Sequence, residues 1–395
     1  MNNDIMENIV KNIIKKVKNE GDSALSYFTK RYDGIELTPK NFKVTEDEII
    51  FAYKSVNRTF INAVKSAKKN IDFFQKSILP KSKILKKKGI VLKHVFKPLN
   101  SVGIYVPGGR FSYPSTVLMT AIPAKIAGVK RIVITTPAKN VTNDLLATAK
   151  ICGVNEIYRI GGAQSVAALA YGTKTISKVD KIVGPGNKYV TEAKRQVFGD
   201  VGIDMLAGPS EILIIADESA KTEFIIKDLY AQCEHDTDAK ATVMSLSKRL
   251  YENVKKRIEL FKNQIKIMYD NDIERVINAA NEISPEHLEI MTKNPLNIAR
   301  KIKNAGAIFI GNYSTVVLGD YFAGPSHVLP TGKTARFSSG LSVYDFFKTT
   351  SVIQYRNSAF SKSADSIIEL ANTEGLYKHA ESIKIRIIKD RYQNT

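Results

Sequence analysis

A chain of 395 residues is longer than one small core can organise, and it predicts two or three domains. Hydrophobic residues at 44% and charged residues at 25% are ordinary for a folded globular protein and exclude a disordered or fibrous chain. The net charge of +20 raises nucleic acid as a partner, but the lysines run from end to end among abundant Ile and Asn, with no Trp to stack on bases. The densest run, Lys86-Lys87-Lys88, precedes Gly89 and reads as a solvated hairpin tip. We therefore read the charge as surface composition, with no nucleic-acid partner. Cys152 and Cys233 give no disulfide framework and suit a reducing compartment. No apolar run is long enough for a bilayer and the first residues do not resemble a secretory signal, so a cytoplasmic protein without a membrane partner is expected.

In chain order, Ile5, Ile9, Ile13 and Val17 form a stripe that predicts a first amphipathic helix. Thr45 with Glu48 is a capping-box pattern opening a long helix toward Phe74. Residues 84–96, broken at Gly89, predict a β-hairpin. From Ser101 strands and helices alternate: SVGIYVPGG, RIVITTP, EIYRIGG and KIVGPG read as strands. The segments between them, and NKYVTEAKRQVFG after the last, read as helices, one of them interrupted by Pro123. That alternation predicts a Rossmann-like parallel sheet over about 101–209. A second α/β block follows, with SEILIIAD, ATVMSLS and GAIFIGNY as strands, and beyond about Thr350 the pattern turns helical. The fold class expected is α/β with two Rossmann-like parallel-sheet domains.

Strands of the first block end in glycine-bearing loops at Val106–Gly109, Ile160–Gly162 and Gly184–Asn187. In open parallel sheets, ligands bind beyond the carboxyl ends of the strands, and glycine lets backbone approach them. The same glycines also suit tight turns with positive φ, and the chain contains no G-x-G-x-x-G. The loops alone leave both readings open.

Of five histidines, four stand near acids or amides: Gln232-x-x-His235, Glu286-His287, Asp320 with His327, and Glu374 with His379. Imidazole and carboxylate together serve zinc and also acid–base chemistry near neutral pH. Each pair taken singly is also a common surface or core arrangement, and spacing does not show that the pairs converge. Cys233 reads as a small buried residue rather than a nucleophile.

The ordered segments GIYVPGG, IGGAQSVAALAYGT, KIVGPGNKYV, AGPSEILIIAD, AQCEHD, SPEHLEI, GDYFAGPSHVLPTG and EGLYKHA resemble the histidinol dehydrogenase family nearly end to end. The resemblance implies Gln232, His235, Asp320 and His379 as ligands of one zinc per subunit, with His379 supplied by the partner of a homodimer. It implies Glu286 and His287 as the acid–base pair. Ser210, His327 and Glu374 are implied as substrate contacts, alongside His287 and the zinc ligands. Tyr105, Gln164 and Asn187 are implied to hold NAD. Asp236, where many relatives carry Gly, departs from the pattern without touching the ligands.

The implied activity is the four-electron oxidation of L-histidinol through L-histidinal to L-histidine with two NAD, in histidine biosynthesis. The implied architecture inserts residues 105–209, the NAD-contacting domain, into a discontinuous α/β domain of residues 19–104 and 210–341. Helical extensions, 1–18 and 342–395, embrace the partner chain. A zinc- and NAD-dependent relative acting on another small polyol or amino alcohol is the alternative; His327 and Glu374 favour histidinol.

Overall fold

The computed structural model describes residues 3–108 and 112–393. It opens with helices α1 (Asn3–Glu20), α2 (Asp22–Asp33), α3 (Glu46–Ser55) and α4 (Arg58–Ser77). The stripe on α1 is rotated from the expected one: Val10, Ile13, Ile14 and Val17 are buried, whereas Ile5 is 53% exposed. Those residues share a core with Ala163, Val166 and Ala167 of the same chain, so this apolar face is already covered and is not free for a partner. Thr45 and Glu48 form the capping box, with Glu48 N–H donating to Thr45 Oγ1 at 3.2 Å. The long helix expected from there is two helices, because Asn57 takes an extended conformation and its side chain caps α4, accepting from Phe60 N–H at 2.6 Å.

Strands β1 (Lys83–Lys87) and β2 (Ile90–Pro98) form the hairpin, turning at Gly89 with φ 77°. The first alternating block follows: β3 (Ser101–Tyr105), α5 (Pro114–Ala127), β4 (Arg131–Thr135), α6 (Asn143–Cys152), β5 (Glu156–Tyr158), α7 (Gly162–Tyr171), β6 (Lys181–Val183), α8 (Lys188–Val197) and β7 (Gly202–Ile203). The second comprises β8 (Glu211–Ala216), α9 (Thr222–Cys233), β9 (Lys240–Ser245), α10 (Lys248–Arg257), β10 (Ile265–Tyr269), α11 (Ile273–Ile283), β11 (His287–Met291), α12 (Pro295–Ala299), β12 (Ala307–Ile310) and α13 (Val316–Tyr321). The chain closes with β13 (Phe347–Tyr355), α14 (Asn357–Thr373) and α15 (Tyr377–Gln393). Among the described residues no helix is long and apolar enough to cross a membrane.

Both blocks are parallel five-stranded sheets of one topology: β5-β4-β3-β6-β7 in the first, β10-β9-β8-β11-β12 in the second. In each, the first strand lies at the centre and the order reverses beside it, which defines a doubly wound sheet with a switch point. Strands β7, β10 and β11 escape the sequence reading. Two of them are short or largely exposed, and β11 follows directly on the Pro285-Glu286 turn.

Contacts group residues 1–79 with 99–346 in one unit, and 80–98 with 347–395 in a second. The second unit holds the antiparallel sheet β1-β2-β13 and the paired helices α14 and α15. Its strand β13 replaces the start of the helical tail expected from the sequence, pairing with β2 from Phe347↔Pro98 to Tyr355↔Ile90. Ile84, Leu85, Ile353 and Leu370 of this unit are exposed.

Pro123 does not interrupt α5. A proline at that position cannot donate to the Met119 carbonyl, and Ser326 Oγ–H donates to it instead at 3.1 Å. The repair ties the loop preceding His327 to the first sheet's helical layer.

The loop after β6 is fixed by a buried ion pair. Lys194 and Asp204 are 2% and 1% exposed; Asp204 accepts from Gly184 N–H at 2.7 Å and Lys194 donates to the Gly184 carbonyl at 3.0 Å. Gly184 has φ +109°, and a Cβ there would run into the Tyr105 carbonyl oxygen. Removing one partner of such a pair leaves an unpaired buried charge. Lys194→Met should therefore cost about 3–5 kcal/mol in urea unfolding, with Lys194→Met/Asp204→Asn recovering part of it. Wild-type stability in the single variant would show that the pair does not hold this loop.

Candidate active site

Two places in the first unit gather the residues singled out by sequence. The first is a cleft of about 470 Å³ at the carboxyl edge of the first sheet, lined by Tyr105, Gln164 and Asn187 together with Asp33, Lys139 and Tyr189. Tyr105 ends β3, and Asn187 follows β6, so they flank the switch point. Gln164 sits in the first turn of α7. Tyr105 Oη accepts from Gly162 N–H at 3.3 Å, linking two of the loops, and burial pushes its phenol up to about 12. Loop packing accounts for some of the glycines: at Gly108 and Gly161 a Cβ would collide with Pro137. The cleft lies at the switch point, where open parallel sheets bind ligands, with residues from all three loops around it. Gly109, the last residue of the Val106–Gly109 segment, lies outside the described residues.

The second place is the amino edge of the second sheet. Ser284 adopts a left-handed conformation (φ 50°, ψ 56°), and Pro285 follows, so the chain reverses and delivers Glu286 and His287 at the start of β11. Both are buried, 6% and 5% exposed. Glu286 Oε2 accepts from Glu211 N–H at 3.0 Å, next to the half-buried Ser210. His287 Nδ1 lies 3.7 Å from Glu286 Oε2, and its Nε2 lies 4.0 Å from Asp320 Oδ1. His327 Nδ1 is 2.9 Å from the Asp320 carbonyl oxygen, and its Nε2 is 3.5 Å from Thr116 Oγ1. His235, exposed just after α9, is close enough to His287 and His327 to repel protonation of both. It opens onto an apolar cavity of about 470 Å³ with Tyr113, Leu118, Tyr321 and Phe322.

Desolvation sets the protonation of this cluster. It holds His287 down at about 3 and His327 at about 4, so both imidazoles are neutral near pH 7. It raises Asp320 to about 7 and Glu286 well above the ordinary carboxylic range, with Asp320 and Glu211 adding to the latter. A neutral imidazole beside a carboxyl of raised basicity is suited to proton transfer.

Among the described residues no group of three or more His, Cys, Asp or Glu side chains is arranged to hold a metal. Gln232 nonetheless points to one. Its side chain is 2% exposed, and neither its Oε1 nor its Nε2 has a hydrogen-bond partner. A buried amide left unsatisfied costs about 1–3 kcal/mol. The carboxamide, the Asp320 carboxyl and the His235 imidazole are oxygen and nitrogen donors that fit zinc. Glu374, capping α14, and His379, in α15, are exposed in the second unit.

The sequence reading missed the side chains that build the site's frame. Arg31, Tyr32 and Asp33 at the end of α2 line the cleft of the first sheet, a placement that only the tertiary fold reveals. Glu289, fully buried in the all-buried strand HLEIM, did leave a signal: one acid inside an apolar run.

A doubly wound sheet with a cleft at its switch point, in the same unit as a buried acid–imidazole pair, is a scaffold suited to a dinucleotide-dependent oxidoreductase. The family model for histidinol dehydrogenase matches residues 1–387, and the chain belongs to that family of NAD-dependent oxidoreductases. It is 50% identical to the histidinol dehydrogenase of Oceanobacillus iheyensis over 392 residues, covering 95% of this chain and 91% of that protein. It is 47% identical to that of Methanocaldococcus jannaschii, covering 96% and 92%. The crystal structure of histidinol dehydrogenase from Elizabethkingia anophelis superposes with a TM-score of 0.92 at 35% identity, covering 99% of this chain and 93% of that one. An acetylating aldehyde dehydrogenase from Geobacillus thermoglucosidasius, at 13% identity and TM-score 0.51, shares the fold alone.

The depressed basicity of His287 has a measurable consequence in metal-free protein. Between an unfolded value of about 6.5 and the folded value of about 3, the unfolded chain binds the extra proton, so this group removes stability as pH falls. Glu286 and Asp320 act in the opposite sense, so the comparison must be with a variant. His287→Asn should gain stability relative to wild type as pH drops below about 6.5. Parallel urea midpoints at pH 7.5 and pH 5 would show that His287 titrates normally.

Proposed function

We propose that the chain oxidises L-histidinol through L-histidinal to L-histidine, using one zinc per subunit and two NAD per turnover. The observation that carries this reading is the meeting of Glu286 and His287 with Asp320 and His327, with His235 close enough to act on both imidazoles and Gln232, three residues before it, buried without a hydrogen-bond partner. Gln232, His235 and Asp320 would hold the metal, and His379 of a second copy would complete it. When bound, zinc would hold the substrate's nitrogen atoms in place, and NAD would accept the hydride of each oxidation.

The chain's own residues then divide the proton work. Neutral His287 takes the hydroxyl proton in the first oxidation, and its burial keeps the imidazole unprotonated beforehand. Glu286, of raised basicity, deprotonates a water for attack on the aldehyde carbon, and the hydrate so formed is oxidised second. Ser210, His327 and Glu374 position the substrate. His327 is oriented by the Asp320 carbonyl and by Thr116. Tyr105, Gln164 and Asn187 hold NAD in the cleft at the first sheet's edge. A homodimer is supported by the apolar residues that the second unit leaves exposed, Ile84, Leu85, Ile353 and Leu370, on the same unit as Glu374 and His379.

L-Histidinol should yield two NADH per molecule, and a chelator should abolish the reaction until zinc is restored. Glu286→Gln should slow oxidation of supplied L-histidinal by about 10²–10⁴ and the alcohol step much less. One NADH per histidinol, or wild-type aldehyde oxidation in the variant, would remove the second half of this scheme.

The shared site is tested by co-expressing His235→Ala and His379→Ala, each inactive alone. A mixed dimer would hold one doubly damaged site and one intact site, and random pairing makes half the dimers mixed. Activity should approach about a quarter of wild type. Demonstrated mixed dimers with no recovery would place His379 in its own chain's site.

A further inference from the structure

We infer that Asp228 and Glu289, bridged by a shared proton, are positioning residues that set the spacing of the three elements carrying Gln232, Glu286–His287 and Asp320. The inference rests on the functional reading above.

Asp228 lies on α9 one turn before Gln232, on the same face. Glu289 is on β11, two residues after His287, and is fully buried. Both reach the start of α13, whose fifth residue is Asp320. Thr315 Oγ1–H donates to Asp228 Oδ1 at 2.8 Å, and Val316 N–H donates to Glu289 Oε1 at 2.7 Å. Each carboxyl thus spends one oxygen on α13.

The remaining oxygens belong to the two carboxyls that interact with each other. Glu289 Oε2 is buried, and no donor faces it while both groups are ionised. A carboxyl facing a carboxylate makes a bond only when one of them carries a proton. Glu289 is the deeper group, and burial, followed by the Asp228 charge, holds it protonated well above the ordinary carboxylic range. Its O–H then donates to Asp228, and helix, strand and helix close into one ring, buried at Glu289 and Val316 and half-buried at Asp228 and Thr315. An ordinary apolar packing contact would bind the same elements without fixing their register. The two hydrogen bonds on adjacent residues at the start of α13 fix its height against β11 and α9, and so the distance from Asp320 to His287 and Gln232.

The test compares two replacements at one position. Glu289→Gln keeps the oxygen that accepts from Val316 and puts an N–H where the shared proton stood. Glu289→Leu keeps the bulk and cuts both bonds. Zinc affinity by chelator competition and KM for L-histidinol should stay within about twofold of wild type in Glu289→Gln. In Glu289→Leu, zinc affinity should fall at least about tenfold and KM for L-histidinol rise, with KM for NAD unchanged because that cleft lies on the other sheet. A purely structural residue would lower the active fraction and leave both KM values and the zinc affinity of the folded protein alone. If Glu289→Leu does not fold, Thr315→Val cuts the same ring at α13, and the same split is expected. Unchanged zinc affinity and histidinol KM in the variant that folds would overturn the proposal, as would a Glu289→Gln enzyme as damaged as Glu289→Leu. Wild-type protein that holds no zinc and makes no NADH from L-histidinol would instead overturn the functional reading itself.

Discussion

Desolvation of a few ionisable side chains at the amino edge of the second sheet is the constraint on which the site depends. Glu286, His287, Asp320 and His327 are withdrawn from water together, which forces the imidazoles neutral and drives the carboxyls toward protonation. Burial of this kind is tolerated only where backbone groups answer it. The amino ends of parallel strands supply free N–H groups, and Glu211 N–H at the head of β8 accordingly meets Glu286 Oε2. The same N–H groups disfavour a protonated imidazole beside them. Carboxyls and neutral imidazoles suit it.

The two sheets have one strand order but are used from opposite ends. In the first, the carboxyl edge opens at the switch point between β3 and β6, and the cleft lies there. In the second, the corresponding point between β8 and β11 is bridged: Asp217 Oδ2 accepts from Lys293 N–H at 2.9 Å, and Asp217 N–H donates to the Met291 carbonyl at 3.3 Å. The chemistry-bearing residues of the second sheet collect instead at its amino edge. Ser326 joins the two arrangements. Its hydroxyl replaces the hydrogen bond that Pro123 withholds in α5, and its neighbour His327 reaches Thr116 of the same helix.

Much of this was legible in the sequence because periodicity and glycine placement are local. The alternation from Ser101 onward predicted a Rossmann-like parallel sheet, and Tyr105, Gln164 and Asn187, named by resemblance, do line one cleft. The failures are equally physical. Helix α1 carries apolar residues on adjacent positions, and which of them face inward depends on α7 and α8, so Ile5 was placed on the wrong side. Asn57 caps a helix only because the chain turns there, and an Asn within a helical pattern does not announce it. Strand β13 draws its partner, β2, from about 250 residues earlier, and its alternation is weak because it is largely exposed.

The convergence of the acid–imidazole pairs was beyond any spacing argument, and the one local signal near it, an acid inside the apolar strand HLEIM, went unread. An acid in the middle of an apolar parallel strand must find a donor for one oxygen and, once protonated, an acceptor for its O–H, and Glu289 finds them on α13 and α9. Elements linked in this way cannot slide independently, since moving any one of them strands a buried polar group. The orphaned carboxamide of Gln232 is the opposite case: a buried polar group that the protein leaves open although the neighbouring turn of the same helix is fully engaged. A frame satisfied at Asp228 and Glu289, one helical turn and two strand residues away from groups left unsatisfied at Gln232 and His287, is what a preorganised binding site requires. Rigidity comes from the bonds that are made, and affinity is reserved for the ligand that completes those that are not.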